Sequence, residues 1–458
     1  ALNHSALLNP NQVDPVRESL GVAAGQEWER FDPDSPEGQL CAASWERIYA
    51  GDTVPTPAVR PEMIPDHIGH NRTATTSTQE ALGRLLTQLA DLKGVGERIV
   101  TAAPDVSVST NLGGWINKAG VFAAREETVY DDAPRLLRWE PKPSGQHIEL
   151  GISEMNLFMW LGMFGLSHEL SGQLLFPIGT VYDPFVCRGL DAFIYGVYSN
   201  SRFIVAGTPS GISLSPEGGA HQSTITPSIG VELPNCHYYE PTFAQELEWV
   251  LLQALRECCD RENGLSTYLR LSTKPVDQKL LESALARFGQ DELRRQVLAG
   301  GYRIVEASHD APDADRSDTV QIVTTGVMVP EAVEAARLLH AEGVAANVIT
   351  LTSPKTVYEG WQQRQRWLMG ASNGTKPSIH LDTLIPEGER RAPIVAVQDG
   401  ASHSLAWLGS VYGTQIASLG VDDFGQSGSR QDLYQHYGID PEHIASAAFA
   451  MLDSSESV

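Results

Sequence analysis

The chain has 458 residues, more than one ordinary core accommodates, so its length alone sets an expectation of about two to three domains. Its composition, 42% apolar and 20% charged, is that of a soluble globular protein without a run able to span a bilayer. A net charge of −24 excludes nucleic-acid binding through a basic footprint and leaves a basic partner surface as the charge-complementary alternative.

Residues 1–77 are rich in Pro, Asp and Asn, with only short helical stretches such as 14–20, and read as an extended arm that wraps another surface. From residue 78 the pattern alternates. Helices are predicted over 79–91, 154–166, 185–198 and 243–258, and strands over 98–103, 173–179, 202–206 and 267–271. Such alternation predicts a parallel sheet with helices on both faces, occupying 78–285. A charged, looser stretch follows, with a linker expected at 286–317. A second α/β domain is expected over 318–458, with strands at 319–324, 344–350 and 394–397 and helices at 331–341 and 403–418. Pro330 falls in the first turn of one of these helices, where its missing N–H is harmless. The predicted fold class is therefore α/β, two doubly wound domains preceded by an extended arm.

Five cysteines without a CxxC pair, and an N-terminus lacking a charged region followed by an apolar one, predict reduced thiols in a cytoplasmic protein without a secretory signal.

Three segments at predicted strand ends carry chemistry. Glu154, in Gly151-Ile152-Ser153-Glu154, opens an otherwise apolar helix. An acid there ordinarily complements the helix dipole. Ser215-Pro-Glu-Gly218-Gly219-Ala-His221-Gln222 presents a histidine from a glycine-rich loop, where it would ordinarily hydrogen-bond its own turn. Asp105 lies in Ala103-Pro-Asp105-Val-Ser-Val-Ser-Thr-Asn111. In this order the three segments resemble loops of the transketolase superfamily of thiamine-diphosphate enzymes. The closest resemblance is to the pyrimidine-binding and C-terminal domains of the homodimeric-type pyruvate dehydrogenase decarboxylating component. The stretch from Asp423 through Arg430 to Tyr437 adds to it, and Asn3-His4-Ser5 falls where that family has a mobile-loop histidine.

The resemblance implies specific roles. Glu154 would face the aminopyrimidine of thiamine diphosphate and favour its imino tautomer. His221 would exchange a proton with the substrate oxygen, as a near-neutral imidazole can. His4 is a further catalytic candidate. Tyr182 and Phe185 are both candidates for the ring that stacks on the pyrimidine, and Asp105 and Ile152 complete the cofactor set. His221, Gln222 and Lys274 are the substrate candidates. The family anchors the diphosphate through magnesium with Gly-Asp-Gly and a downstream Asn, which this sequence lacks. Gly51-Asp52-Thr53 and Asp399-Gly400 read as turns instead. The expectation is thus a beta-like half whose alpha-like partner subunit holds magnesium and the diphosphate in an α2β2 assembly. The diphosphate half would then be a separate polypeptide, or have been cut away. Thr273 stands where ketose-phosphate enzymes carry a phosphate-gripping arginine, and Lys274 offers only a point charge. This favours a small 2-keto acid, with lipoamide, an aldehyde or a ketone receiving the two-carbon unit. A two-subunit transketolase and a non-catalytic regulatory homologue are the alternatives.

Overall fold

The computed structural model describes residues 7–49, 59–69, 74–125, 141–310, 315–370 and 374–455. Contacts divide the chain into two units, Ala1–Thr56 and Pro57–Val458. The first holds two helices, Pro10–Ser19 and Pro36–Tyr49, longer than the short stretches expected there. The reason is local: the Asn9 and Gln12 side chains each accept the other's backbone N–H, and Pro10 and Pro36 stand at the first helical positions.

The second unit is built on two sheets. A short strand β1 (Thr75–Thr76) precedes the larger one, made of β2 (Ile99–Ala103), β3 (Val121–Phe122), β4 (Pro141–Lys142), β5 (His147–Glu149), β6 (Phe176–Val181), β7 (Ile204–Gly207), β8 (Cys236–Tyr239) and β9 (Ser266–Arg270). Their order is β4-β3-β5-β2-β6-β7-β9-β8, and every pairing is parallel. β10 (Val276–Asp277) then returns antiparallel to β1. The central strands are buried on both faces, and successive side chains alternate between the two layers. Ile204, Ala206 and Leu269 join the core under the helices Thr78–Leu89 and Ala244–Cys259. Val205 and Tyr268 face Phe158, Leu161 and Phe193 of the helices Glu154–Phe164 and Leu190–Tyr198.

The second sheet comprises β11 (Tyr302–Val305), β12 (Asp315–Thr324), β13 (Val344–Thr350), β14 (Ile394–Val397) and β15 (Ile416–Leu419), in the order β11-β13-β12-β14-β15. Only β11 runs antiparallel. The two-sheet, doubly wound α/β architecture is the one expected from the sequence. Among the described residues no helix is long and apolar enough to cross a membrane, and all five cysteines are free thiols.

Several segments differ from expectation. The stretch 286–317 is not a bare linker: it contains the helix Gln290–Ala299, which buries Leu293 and Val297, and the edge strand β11. Residues 59–69, expected in the arm, are tied to the core of the second unit. Val59 and Ile64 are buried, and Arg256 donates to the Ile64 carbonyl at 2.8 Å. The helix expected over 403–418 stops at Tyr412, because Gly413 takes a left-handed conformation (φ 69°), and the chain leaves it as β15.

Candidate functional site

The sequence candidates collect at the carboxyl ends of the parallel strands, where open α/β sheets bind ligands. Glu154 begins its helix directly after Ser153, whose hydroxyl caps the Asn156 N–H at 3.3 Å. The residue is buried, and its carboxylate accepts a hydrogen bond from Arg188 Nη1 at 3.1 Å. Arg188 comes from the turn Asp183–Gly189 after β6. That turn lies against the helix because residue 189 is glycine: a Cβ there would sit 2.2 Å from the Phe158 ring and 2.8 Å from the Glu154 carbonyl.

The same turn carries both aromatic candidates. Tyr182 and Phe185 lie nearly parallel, with ring centroids 6.0 Å apart and 16° between planes. His221 meets both edgewise, at 5.7 and 5.5 Å. The guanidinium carbon of Arg188 lies 3.8 Å over the Phe185 centroid. A continuous path Glu154–Arg188–Phe185–His221 thus joins the two catalytic candidates. His221 Nδ1 is buried without a hydrogen-bond partner among the described residues, which leaves a polar atom for a ligand to satisfy. Gln222 Oε1 is likewise buried without a hydrogen-bond partner among the described residues. The Gln222 amide nitrogen donates to the carbonyls of Ser215 (2.9 Å) and Gln426 (3.0 Å), tying the histidine loop to the segment that resembled the family's C-terminal stretch.

A buried polar network, which sequence reasoning missed, holds these loops. Asp183, between the two aromatic residues in sequence, is fully buried and accepts from Ser223, Thr226 (2.5 Å), Tyr268 and Arg270 Nε (3.0 Å). Arg270 also donates to Glu240 (3.1 Å) and to the Asp399 carbonyl (2.7 Å). Burial works against the Arg270 charge, but Glu240 and Asp183 outweigh it and hold the guanidinium well above its usual range. The Asp399 carboxylate in turn accepts the N–H groups of Ile212 (2.8 Å) and Ser213 (3.0 Å). The available signal was a charged residue at the end of the apolar strand Thr-Tyr-Leu-Arg270, which needs a buried partner.

The remaining described candidates have other partners or face solvent. Asp105 follows β2 with φ 61° and an exposed side chain. Its backbone serves Glu149, whose carboxylate also accepts from Ser107 (2.5 Å) and pairs with His147 Nε2 (2.9 Å). Burial opposes the Glu149 charge, yet the His147 and Ser107 hydrogen bonds hold its carboxyl below the usual range. Ile152 is 78% exposed on the turn before Glu154. Lys274 is buried and engaged: its ammonium pairs with Glu331 and sits 4.9 Å over the Tyr434 ring. Burial pushes its pKa down, with Glu331 opposing. His4 lies outside the described residues. Among the described residues no group of three His, Cys, Asp or Glu side chains could hold a metal ion.

Fold and site together define a two-sheet α/β protein with a buried carboxylate, an aromatic wall and a partnerless imidazole nitrogen in one cluster. Residues 57–275 match the model of the pyruvate dehydrogenase E1 component middle domain, and residues 300–440 that of the transketolase-like TK C-terminal domain. The pyruvate dehydrogenase E1 component of Pseudomonas aeruginosa is 24% identical over 387 residues, covering 82% of this chain and 42% of that protein. Among solved structures, transketolase from Campylobacter jejuni superposes with a TM-score of 0.64 at 16% identity, covering 96% of this chain and 58% of that one. A split-gene transketolase, described as an inactive beta4 tetramer, superposes with a TM-score of 0.52 at 19% identity, covering 82% of this chain and 99% of that one. The chain belongs to the transketolase superfamily. It spans about two fifths of the length of the curated relatives it matches.

Proposed function

We propose that this chain is the pyrimidine-binding, beta-like half of a thiamine-diphosphate enzyme that cleaves a 2-keto acid such as pyruvate and passes the two-carbon unit to an acceptor. The observation that carries this reading is the cluster in which Tyr182, Phe185 and His221 pack on one another and Arg188 links Phe185 to the buried Glu154. A buried carboxylate, a flat apolar wall and a partnerless imidazole nitrogen suit an aminopyrimidine, which needs one strong acceptor at its edge and an aromatic face below it. When bound, the coenzyme supplies a thiazolium carbon that becomes a nucleophile on losing its proton.

The residues of this chain do the rest. Glu154 holds the pyrimidine ring nitrogen and keeps negative charge beside it in a setting where water is sparse. Phe185, backed by Tyr182, fixes the ring plane. His221 holds or moves a proton at the substrate oxygen. Gln222 and the Asp183 network keep the histidine loop in register with the aromatic turn. Asp105 and Ile152, on neighbouring turns, flank the coenzyme in this reading. Lys274 is left out of the substrate site, because an ammonium already paired with Glu331 is not free to grip a phosphate. This favours a keto acid over a ketose phosphate. The structural likeness to a split-gene transketolase keeps the two-subunit transketolase as the second reading. A regulatory, non-catalytic homologue would have no use for Glu154 and His221 in one cluster.

The diphosphate and its magnesium are assigned to an alpha-like partner carrying Gly-Asp-Gly and a downstream Asn, in an α2β2 assembly. Exposed apolar side chains beside Glu154 support a partner surface: Met155, Met159 and Met163 line one face of its helix, with Tyr195 and Tyr198 on the helix packed against it. In the first unit, Trp28, Leu40 and Trp45 are likewise exposed. Titration calorimetry of the isolated chain with magnesium and thiamine diphosphate is expected to give weak binding, restored to tight binding by the partner that copurifies with it. Tight stoichiometric binding by the isolated chain would overturn the split-site reading.

His221→Ala is expected to lower turnover of the assembled enzyme by about 10²–10⁴-fold, the usual worth of a positioned proton donor, with little change in coenzyme affinity. Lost affinity at unchanged turnover would make His221 a structural loop residue.

A further inference from the structure

Arg188 makes the two contacts that an aminopyrimidine would have to make. Its planar guanidinium lies 3.8 Å over the Phe185 centroid, a face-stacking distance, and one of its N–H groups donates to Glu154 Oε1 at 3.1 Å. A second planar group cannot lie at that distance over the same ring face while taking the same carboxylate. The two partners also differ in freedom. The Glu154 side chain is 9% exposed and fixed at the start of a helix, whereas the Arg188 side chain is 54% exposed at the end of a turn. The arginine, already half in solvent, can leave by rotating its side chain, and the glutamate cannot follow it.

We propose that Arg188 is a placeholder for the coenzyme: it holds Glu154 and the Phe185 face in their binding geometry and must leave for the aminopyrimidine to enter. This rests on the pyrimidine-binding reading of the cluster. The guanidinium is a suitable stand-in because it is flat, donates hydrogen bonds in its plane and stacks on aromatic faces, none of which a lysine ammonium reproduces. The consequence is a linked equilibrium. Apparent affinity for the pyrimidine equals the intrinsic affinity multiplied by the fraction of chains whose arginine has left. A partly exposed ion pair combined with one cation–π contact sets that reduction at about 10-fold.

The test is a titration of the full chain with 4-amino-5-hydroxymethyl-2-methylpyrimidine, which carries the aminopyrimidine without a diphosphate, followed by ligand-observed NMR. Arg188→Ala is expected to bind it about 10-fold more tightly than the native chain, and Arg188→Lys to fall between the two. Glu154→Gln is expected to abolish binding. Millimolar methylguanidinium added to Arg188→Ala is expected to restore the weaker, native-like affinity, a competition that a merely structural arginine would not produce. Equal or weaker binding by both Arg188 variants, with Glu154→Gln still abolishing it, would overturn the placeholder and leave the pyrimidine reading intact. Binding indifferent to Glu154→Gln, or undetectable in every variant, would overturn both.

Discussion

Glu154→Gln is expected to lower turnover of the assembled enzyme by about 10²–10⁴-fold while the chain folds normally. Glutamine keeps the shape and the position at the head of the helix Glu154–Phe164 but removes the negative charge. The proposed role needs that charge, because a neutral amide cannot favour the imino form of the pyrimidine. Folding is spared because Ser153 caps the helix, and the carboxylate contact is with the half-exposed Arg188 rather than with the core. The measurement is steady-state release of carbon dioxide from pyruvate, run beside a ketol-transfer assay with xylulose 5-phosphate, on native and variant assemblies. Near-native turnover of the variant with either donor would remove Glu154 from the mechanism. Activity of the native assembly with the sugar phosphate alone would favour the transketolase reading.

Arg270→Met is expected to be the most damaging single change to stability, at about 3–5 kcal/mol, because it leaves buried carboxylates without their cation. The Arg270, Asp183 and Glu240 side chains are all at most 4% exposed, so water cannot replace the lost guanidinium. Methionine fills the volume and donates none of the contacts with Asp183, Thr226, Glu240, Ser223 and the Asp399 carbonyl. The damage should reach the site as well, since Asp183 anchors the turn bearing Tyr182, Phe185 and Arg188, and Ser223 adjoins His221-Gln222. Urea denaturation of the native and variant chains measures the loss. A midpoint unchanged within error would mean that the network adds nothing to folding.

Much of the candidate site was legible in the sequence. Glu154, His221 and the Tyr182/Phe185 pair stand in segments whose order along the chain matched a known arrangement, and the fold brings them together. The strand boundaries were less so: β6 lies at Phe176–Val181 rather than 173–179, because a continuous apolar run gives no period to mark its ends. β11 was missed for a related reason. It is a four-residue edge strand inside a charged stretch, and only its pairing with β13 makes it part of the sheet.

What the sequence by itself determined is the alternation of strands and helices, hence a parallel α/β fold, and the residue types present at each strand end. These follow from local periods and turn chemistry, which neighbouring residues carry. Only the tertiary structure decided the pairings. Arg270 and Asp183 are 87 positions apart and meet because β6, β7 and β9 are neighbours in the sheet. Lys274 went to Glu331, 57 positions on, instead of to a ligand. Arg188, which reads as an ordinary surface arginine, stacks on Phe185 and reaches Glu154 because a glycine at 189 lets its turn lie on the helix. Strand order and the close approach of turns are properties of the whole sheet, and no local spacing along the chain encodes which charge will find which partner.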